Sequence, residues 1–232
     1  LFEFVMLSKN YFITKRGFLK DMSQKIFVNV KLLMYNIGMS NDLKFGCILL
    51  AAGEGKRFGG NKLLTKLNGV PILEHILKAL PTSKFADCAI VAADSKIFKL
   101  AGKYGIGGVI NDKPELKLAH SIRVGIEQMG DIDACMFLVC DQPNLTRVTL
   151  IDMVDSYVSG SILSLSFHGK RGNPVIFPAF LLEELSNLSI NENGVCVINR
   201  HSEILKLYDI ADEKQLVDID TKHDFRDCQT DK

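Results

Sequence analysis

The stretch CILLAAGEGKRFGGNKLL, Cys47 to Leu64, decides the reading of this chain. A continuously apolar run, FGCILLA from Phe45, passes straight into a glycine-rich, cationic loop. That is how a buried strand delivers backbone amides to a phosphate. Two familiar templates fail on it. A Walker A loop needs G-x-x-x-x-G-K-[ST], but Gly55-Lys56 is followed by Arg57 and Leu50 stands where the first glycine belongs. A dinucleotide fingerprint needs G-x-G-x-x-G, but Gly53 and Gly55 are followed by Phe58, with Gly59 one place too late. What remains is a string of amides with three cations, Lys56, Arg57 and Lys62, and this set suits a triphosphate. The bland alternative is a solvated basic loop.

Outward from this loop, apolar strands alternate with helical patterns. CAIVAA (88–93), GVI (108–110), ACMFLVC (134–140), SILSLSF (161–167), GNPVIF (172–177) and ILKLYDI (204–210) read as strands. PILEHILKAL (71–80), SKIFKLAGKYG (95–105), AHSIRVGIEQMG (119–130), the segment 144–160 entered through Asn144 or Thr146, AFLLEELSNL (179–188), GVCVINRH (194–201) and KHDFRDC (222–228) read as helices. The alternation predicts an α/β fold of three layers, a mostly parallel sheet with helices on both faces, in one domain over 45–227. Ligands in such folds bind at the carboxyl ends of the strands.

The totals fit this. With 47% hydrophobic and 24% charged residues the chain has the balance of a globular protein. A net charge of +1 gives no general attraction to nucleic acid or to a membrane surface, so any anion site must be local. No apolar run approaches the roughly 20 residues of a membrane span. Six cysteines without a C-x-x-C pair read as free thiols buried in a reducing cytoplasm. Residues 1–38, broken up by lysines, read as an extension upstream of a natural start at Met39, with a true N-terminal arm as the alternative.

Four later segments carry candidate chemistry. Asp141, in LVCDQPNLT, ends a strong strand at a proline turn, where a carboxylate holds a metal or merely makes an Asx turn. Asp218 and Asp220 flank Ile219, so in extended chain both face one side, either beside Asp141 as a hard-cation site or as exposed strand-end acids. In FHGKRGNPVIFP, Lys170 and Arg171 stand ready for anions, in what reads as a Gly-Asn-Pro turn between two strands. In NDKPELKLAHSIRVGI, Ser121 and Arg123 either reach a phosphate or belong to a capped surface helix. The five histidines show no metal-ligand spacing, and no G-x-S-x-G elbow occurs.

LLAAGEGKRFGGNKLL, followed by NGVPILEHIL, resembles the signature of the nucleotidyltransferases that activate molybdenum cofactor and related substrates, L-A-A-G-x-S-x-R-M-G-x-x-K with a later G-x-P-L. Leu50, Ala51, Ala52, Gly53, Arg57, Gly59, Lys62, Gly69 and Pro71 match in order, while Gly55 replaces Ser and Phe58 replaces Met. The other four segments resemble the family's A-D-Q-P, D-I-D-T-P-E-D, G-x-R-G-H-P-V-L-F and S-x-R-x-G motifs, with Lys222-His223 for Pro-Glu and Asn173 for His. The resemblance covers about Phe45 to Asp227 and implies a Rossmann-like nucleotidyltransferase fold. It implies transfer of a nucleoside monophosphate to a phosphate of molybdenum cofactor (molybdopterin), with pyrophosphate as the leaving group.

On this resemblance Leu50, Ala51, Ala52, Gly53, Gly55, Lys56, Arg57, Lys62 and Arg123 bind the nucleotide, and Arg57, Lys62 and Asp141 are catalytic. Ser121, Arg171, Gly172 and Asn173 bind the acceptor, and Asp141 with Asp218 and Asp220 holds Mg²⁺. Ala52 resembles the cytidine users, which points to CTP; guanosine users carry glycine there. A molybdenum hydroxylase that receives the product is an implied partner. The alternatives are GTP as donor, a sugar or polyol phosphate as acceptor, or a non-catalytic carrier of the cofactor.

Overall fold

The computed structural model describes residues 43–53 and 58–230, and a compact unit begins at Leu43. The extension 1–38, Met39, and the loop residues Gly55, Lys56 and Arg57 lie outside the described residues.

Seven strands form one sheet: β1 (Phe45–Leu50), β4 (Asp87–Ala92), β5 (Gly107–Ile110), β6 (Ala134–Val139), β7 (Ile162–Phe167), β8 (Lys170–Pro178) and β9 (Leu205–Asp209). A small hairpin, β2 (Lys66–Leu67) with β3 (Val70–Pro71), stands outside it. The order across the sheet is β5-β4-β1-β6-β8-β7-β9. Every neighbouring pair is parallel except the two that involve β8.

The alternation of buried side chains shows why both faces must be covered. Phe45, Cys47 and Leu49 of β1, with Met136 and Leu138 of β6, point into one apolar cluster. Ile48 of β1, with Cys135 and Phe137 of β6, points into the other. Period-two placement of apolar residues on both sides cannot be satisfied by water on either. Helices α1 (Ile72–Ala79), α2 (Ser95–Gly102) and α4 (Arg147–Ser156) cover the first face through Ile76, Leu100 and Met153. Helices α3 (Lys117–Ile126), α5 (Leu182–Ser186) and α6 (Gly194–Arg200) cover the second through Ile122, Leu185 and Val197. Helix α7 (Lys222–Thr230) closes the described chain.

The caps explain where the helices begin. Asp94 opens α2 by accepting from the Lys96 amide at 2.8 Å, and Thr146, not Asn144, opens α4 through the Thr149 amide at 3.2 Å. The helix read over 119–130 lies earlier, because a 3-10 turn at Pro114–Leu116 leads into α3 at Lys117.

The Gly-Asn-Pro reading also needs correction. The chain reverses at His168 and Gly169, whose φ angles of 47° and 77° suit a two-residue hairpin turn. Gly172, Asn173 and Pro174 lie inside β8, where Ser164 pairs Val175 but Ser166 pairs Arg171. This register shift takes up the residues that cannot continue the ladder, since Pro174 has no amide to donate. All six cysteines are free thiols, but only Cys47, Cys135 and Cys140 are buried; Cys88, Cys196 and Cys228 are half-buried.

Candidate active site

The carboxyl ends of β1 and β6 lie side by side, with Leu50 paired to Val139. The chain beyond β1 is pinned where it leaves the sheet and where it returns. The Ala51 amide donates to the Val91 carbonyl at 2.8 Å, and Ala52 packs against the second apolar cluster. On the return, Phe58 is buried edge-on to Phe225 of α7, with ring centroids 5.8 Å apart. Gly59 turns the chain at φ 81°, a conformation that favours glycine. A 3-10 turn at Lys62–Leu64 then buries Leu63 and points Lys62 back across the strand ends.

Lys62 makes the central contact. Its Nζ lies 2.8 Å from Asp141 Oδ2 and 3.1 Å from Asp220 Oδ1. The Lys62 side chain is 12% exposed, against 25% for Asp141 and 44% for Asp220. Burial works against the ammonium, but the hydrogen bonds and charge of Asp141, and then of Asp220, outweigh it and raise its pKa. Asp141 Oδ1 is buried and has no protein partner.

Several hydrogen bonds sew the segment 213–220 to the segment 141–149. The Ile219 amide donates to the Asp141 carbonyl at 2.9 Å. Gln142 donates from Nε2 to Asp218 Oδ1 at 2.9 Å. Gln215 Oε1 accepts from the Thr149 hydroxyl at 2.7 Å and from the Thr146 amide at 3.2 Å. Residues 217–220 are no regular strand, yet Ile219 is fully buried between its two acidic neighbours, as the alternation required. Burial, and then the charge of Asp141, push the Asp218 carboxyl above its ordinary range, with the Gln142 amide acting the other way. Asp220 is held from behind: Asp224 Oδ2 accepts from its amide at 3.0 Å.

Among the described residues no cluster of three or more His, Cys, Asp and Glu is arranged to hold a metal by itself. Magnesium, however, is usually bound by one or two carboxylates together with substrate phosphates and water. Asp141, with its unpartnered buried oxygen, and Asp220 beside it fit that smaller role.

On the second face a cavity of about 480 Å³ opens at the same end of the sheet. Leu50, Val139, Leu118, Ile122 and Val195 give it apolar walls. Lys170, Arg171 and Asn173 enter from the start of β8, and the Arg171 guanidinium donates to Asn199 Oδ1 at 3.3 Å. This size and balance suit a small-molecule site. Gly172 lines the cavity for a structural reason: a Cβ there would come within 2.6 Å of Leu216 Cδ2.

Two expected residues stand elsewhere. Ser121 is buried inside α3, where its hydroxyl accepts from Asn111 Nδ2 at 2.9 Å. Arg123 donates from Nε to the Ser186 carbonyl at 2.7 Å and so ties α3 to α5. Both are engaged by the protein.

Gln142, Gln215 and Asp224 belong to the site's frame, although nothing in the sequence reading assigned them to it. Asp224 carried a legible signal, since Thr221-x-x-Asp224 is a capping-box pattern, and Gln142 stood within the A-D-Q-P resemblance. The glutamines are recognised only by the partners that folding brings to them.

The family described as the MobA-like NTP transferase domain matches residues 47–204. A probable molybdenum cofactor guanylyltransferase of Thermococcus sibiricus is 26% identical over 107 residues, 46% of this chain and 52% of that protein. A 2-C-methyl-D-erythritol 4-phosphate cytidylyltransferase of Shouchella clausii is 27% identical over 122 residues, 49% of this chain and 52% of that protein. The chain thus spans about half the length of these curated relatives. A Mycobacterium tuberculosis protein solved in complex with manganese superposes with a TM-score of 0.66 at 19% identity, covering 82% of this chain and 100% of that one. Asp218 and Asp220 lie beyond the part that the family match covers.

Proposed function

Because this chain belongs to the MobA-like NTP transferase family, we propose that it moves CMP from CTP onto the phosphate of a molybdopterin-type cofactor and releases pyrophosphate. The observation that carries this reading is Lys62, held between Asp141 and Asp220 where the loop after β1 meets the end of β6. A cation aimed between two acids, beside a glycine-rich loop, is the machinery of positioning and charge neutralisation that phosphoryl and nucleotidyl transfer require.

Each part of the chain has a task in this reaction. The amides of Ala52 and Gly53, followed by Lys56 and Arg57, receive the triphosphate. Lys62 stabilises the charge that builds on the leaving pyrophosphate. Asp141 and Asp220, with Asp218 close by, would hold Mg²⁺, which when bound neutralises phosphate charge and aligns the reacting oxygens. The acceptor lies in the cavity on the second face, with Lys170 and Arg171 near its anionic groups and Asn173 as a neutral hydrogen-bonding partner. A phosphate monoester is already largely ionised near pH 7, its second pKa being about 6, so its oxygen attacks without a strong general base. Ala52 supports CTP, because a methyl group at that position narrows the space for the base.

Pyrophosphate release tests the reading, with Mg²⁺, each of the four nucleoside triphosphates, and the cofactor present or absent. Release that needs both CTP and the cofactor is expected. Release with GTP would overturn the argument from Ala52 and leave the reaction standing. Release with a sugar or polyol phosphate instead would move the acceptor. Asp141→Ala is expected to lose at least 100-fold in turnover, on the order of a charge-stabilising group lost from a transition state. Function that survives this change would favour a carrier over an enzyme.

A further inference from the structure

We propose that Lys62 is the resident counter-ion of the metal site, so that a divalent cation binds firmly only together with the nucleotide that draws Lys62 away. This inference rests on the nucleotidyl-transfer reading and adds an order of events to it.

The geometry is that of an occupied cation site. Lys62 Nζ lies within 3.1 Å of oxygens from two carboxylates that are far apart in sequence, Asp141 and Asp220. An ammonium is a compact point charge with three donors, and here it sits on the oxygens a hard metal ion would use. The second oxygen of Asp141 is buried without a protein partner, so the ammonium answers only part of the site's demand. A metal arriving alone must displace Lys62, and at close range the two cations repel. A triphosphate changes this balance. It offers Lys62 a new anionic partner and gives the metal further oxygens.

The backbone limits how Lys62 can move. Leu63 is buried, and the Lys62 amide donates to the Gly60 carbonyl at 2.8 Å. The flexible four-carbon stem is therefore the moving part, and the exchange needs no rearrangement of the strand ends.

Binding of Mn²⁺, followed by the electron paramagnetic resonance of the ion and corrected against Mn²⁺ with the same nucleotide but no protein, tests this without turnover. The wild-type chain is expected to hold Mn²⁺ weakly alone, and at least ten-fold more tightly once CTP or GTP is added. Lys62→Met keeps the stem and removes the charge. It is expected to hold one Mn²⁺ at least ten-fold more tightly than wild type without nucleotide, and adding Asp141→Asn is expected to abolish that gain. Lys62→Gln serves if Lys62→Met does not fold, as judged by its circular dichroism and melting. Equal Mn²⁺ affinity of wild type and the Lys62 variant without nucleotide would overturn the counter-ion role. If wild type with nucleotide still binds Mn²⁺ in that case, the nucleotidyl-transfer reading survives. If neither wild type with nucleotide nor the variant holds Mn²⁺, both fall together.

Discussion

Asp224 Oδ2 accepts from the backbone amides of both Asp220 and Thr221, at 3.0 and 2.7 Å, and so fixes the peptide that carries the Asp220 carboxylate. The Thr221 hydroxyl returns the favour by accepting from the Asp224 amide at 3.2 Å. This is a reciprocal cap at the start of α7, and the helix that it starts also carries Phe225, the ring that packs on Phe58. One short motif thus anchors an acid of the candidate site and the return of the loop after β1.

Replacing Asp224 by Ala is expected to cost about 1 kcal/mol of stability, in the range of other cap losses. Turnover should fall as well, because the Asp220 peptide is released. Asp224→Asn keeps an acceptor oxygen and should recover much of both. Urea unfolding and pyrophosphate release measure the two effects. An Ala variant with normal turnover would mean that Asp220 does not depend on this clamp.

Asp218 gives a pH dependence with a definite sign. Its carboxyl is raised above the ordinary value of 3.8, chiefly by burial and then by the charge of Asp141. A group of this kind favours the fold while protonated, and that advantage is lost as pH rises through its raised folded pKa. Asp218→Asn keeps the oxygen that accepts from Gln142 and removes the charge. In metal-free buffer it should raise the melting temperature at pH 7, and the gain should disappear below pH 3.8. A gain of the same size at both ends of this range would assign the effect to something other than ionisation.

Gly172→Ala tests how tightly β8 is packed on the turn before Asp218. Its new Cβ would come within 2.6 Å of Leu216 Cδ2, which overpacks the site and should cost about 1–3 kcal/mol. Leu216→Ala in the same chain should restore part of that loss by making room. The comparison needs only the three unfolding midpoints. A double variant no better than Gly172→Ala would mean that Leu216 is not the obstacle.

Much of this architecture could be read before folding, for identifiable reasons. The strands at Cys47 and Met136 are apolar on both faces, and such runs have few alternatives to a covered sheet. Ile219 is buried between Asp218 and Asp220, although residues 217–220 form no regular strand. The reversal at His168 and Gly169 was missed because proline in Gly-Asn-Pro is the louder turn signal, although a sheet also accommodates proline at a register shift. Arg123 and Ser121 have protein partners that the motif did not announce. A motif shows that residues occur together, but it does not say which of them point toward the protein. Ser121 faces Asn111, and Arg123 faces the end of α5. Gln142 stood inside the A-D-Q-P resemblance with no role assigned, and Gln215 left no trace, because an amide's partners belong to tertiary structure.

Strand β8 runs against its two neighbours in the sheet, so it brings its first residues, not its last, to the end where the loop after β1 lies. Lys170, Arg171 and Asn173 therefore come from the return arm of one hairpin, between Ile162 and Pro178, while Lys62 and Asp141 follow β1 and β6. On the proposed function, donor and acceptor recognition fall in separate cassettes of the chain. If that reading holds, exchange of the hairpin between relatives is a route to a new acceptor that leaves the loop after β1 untouched.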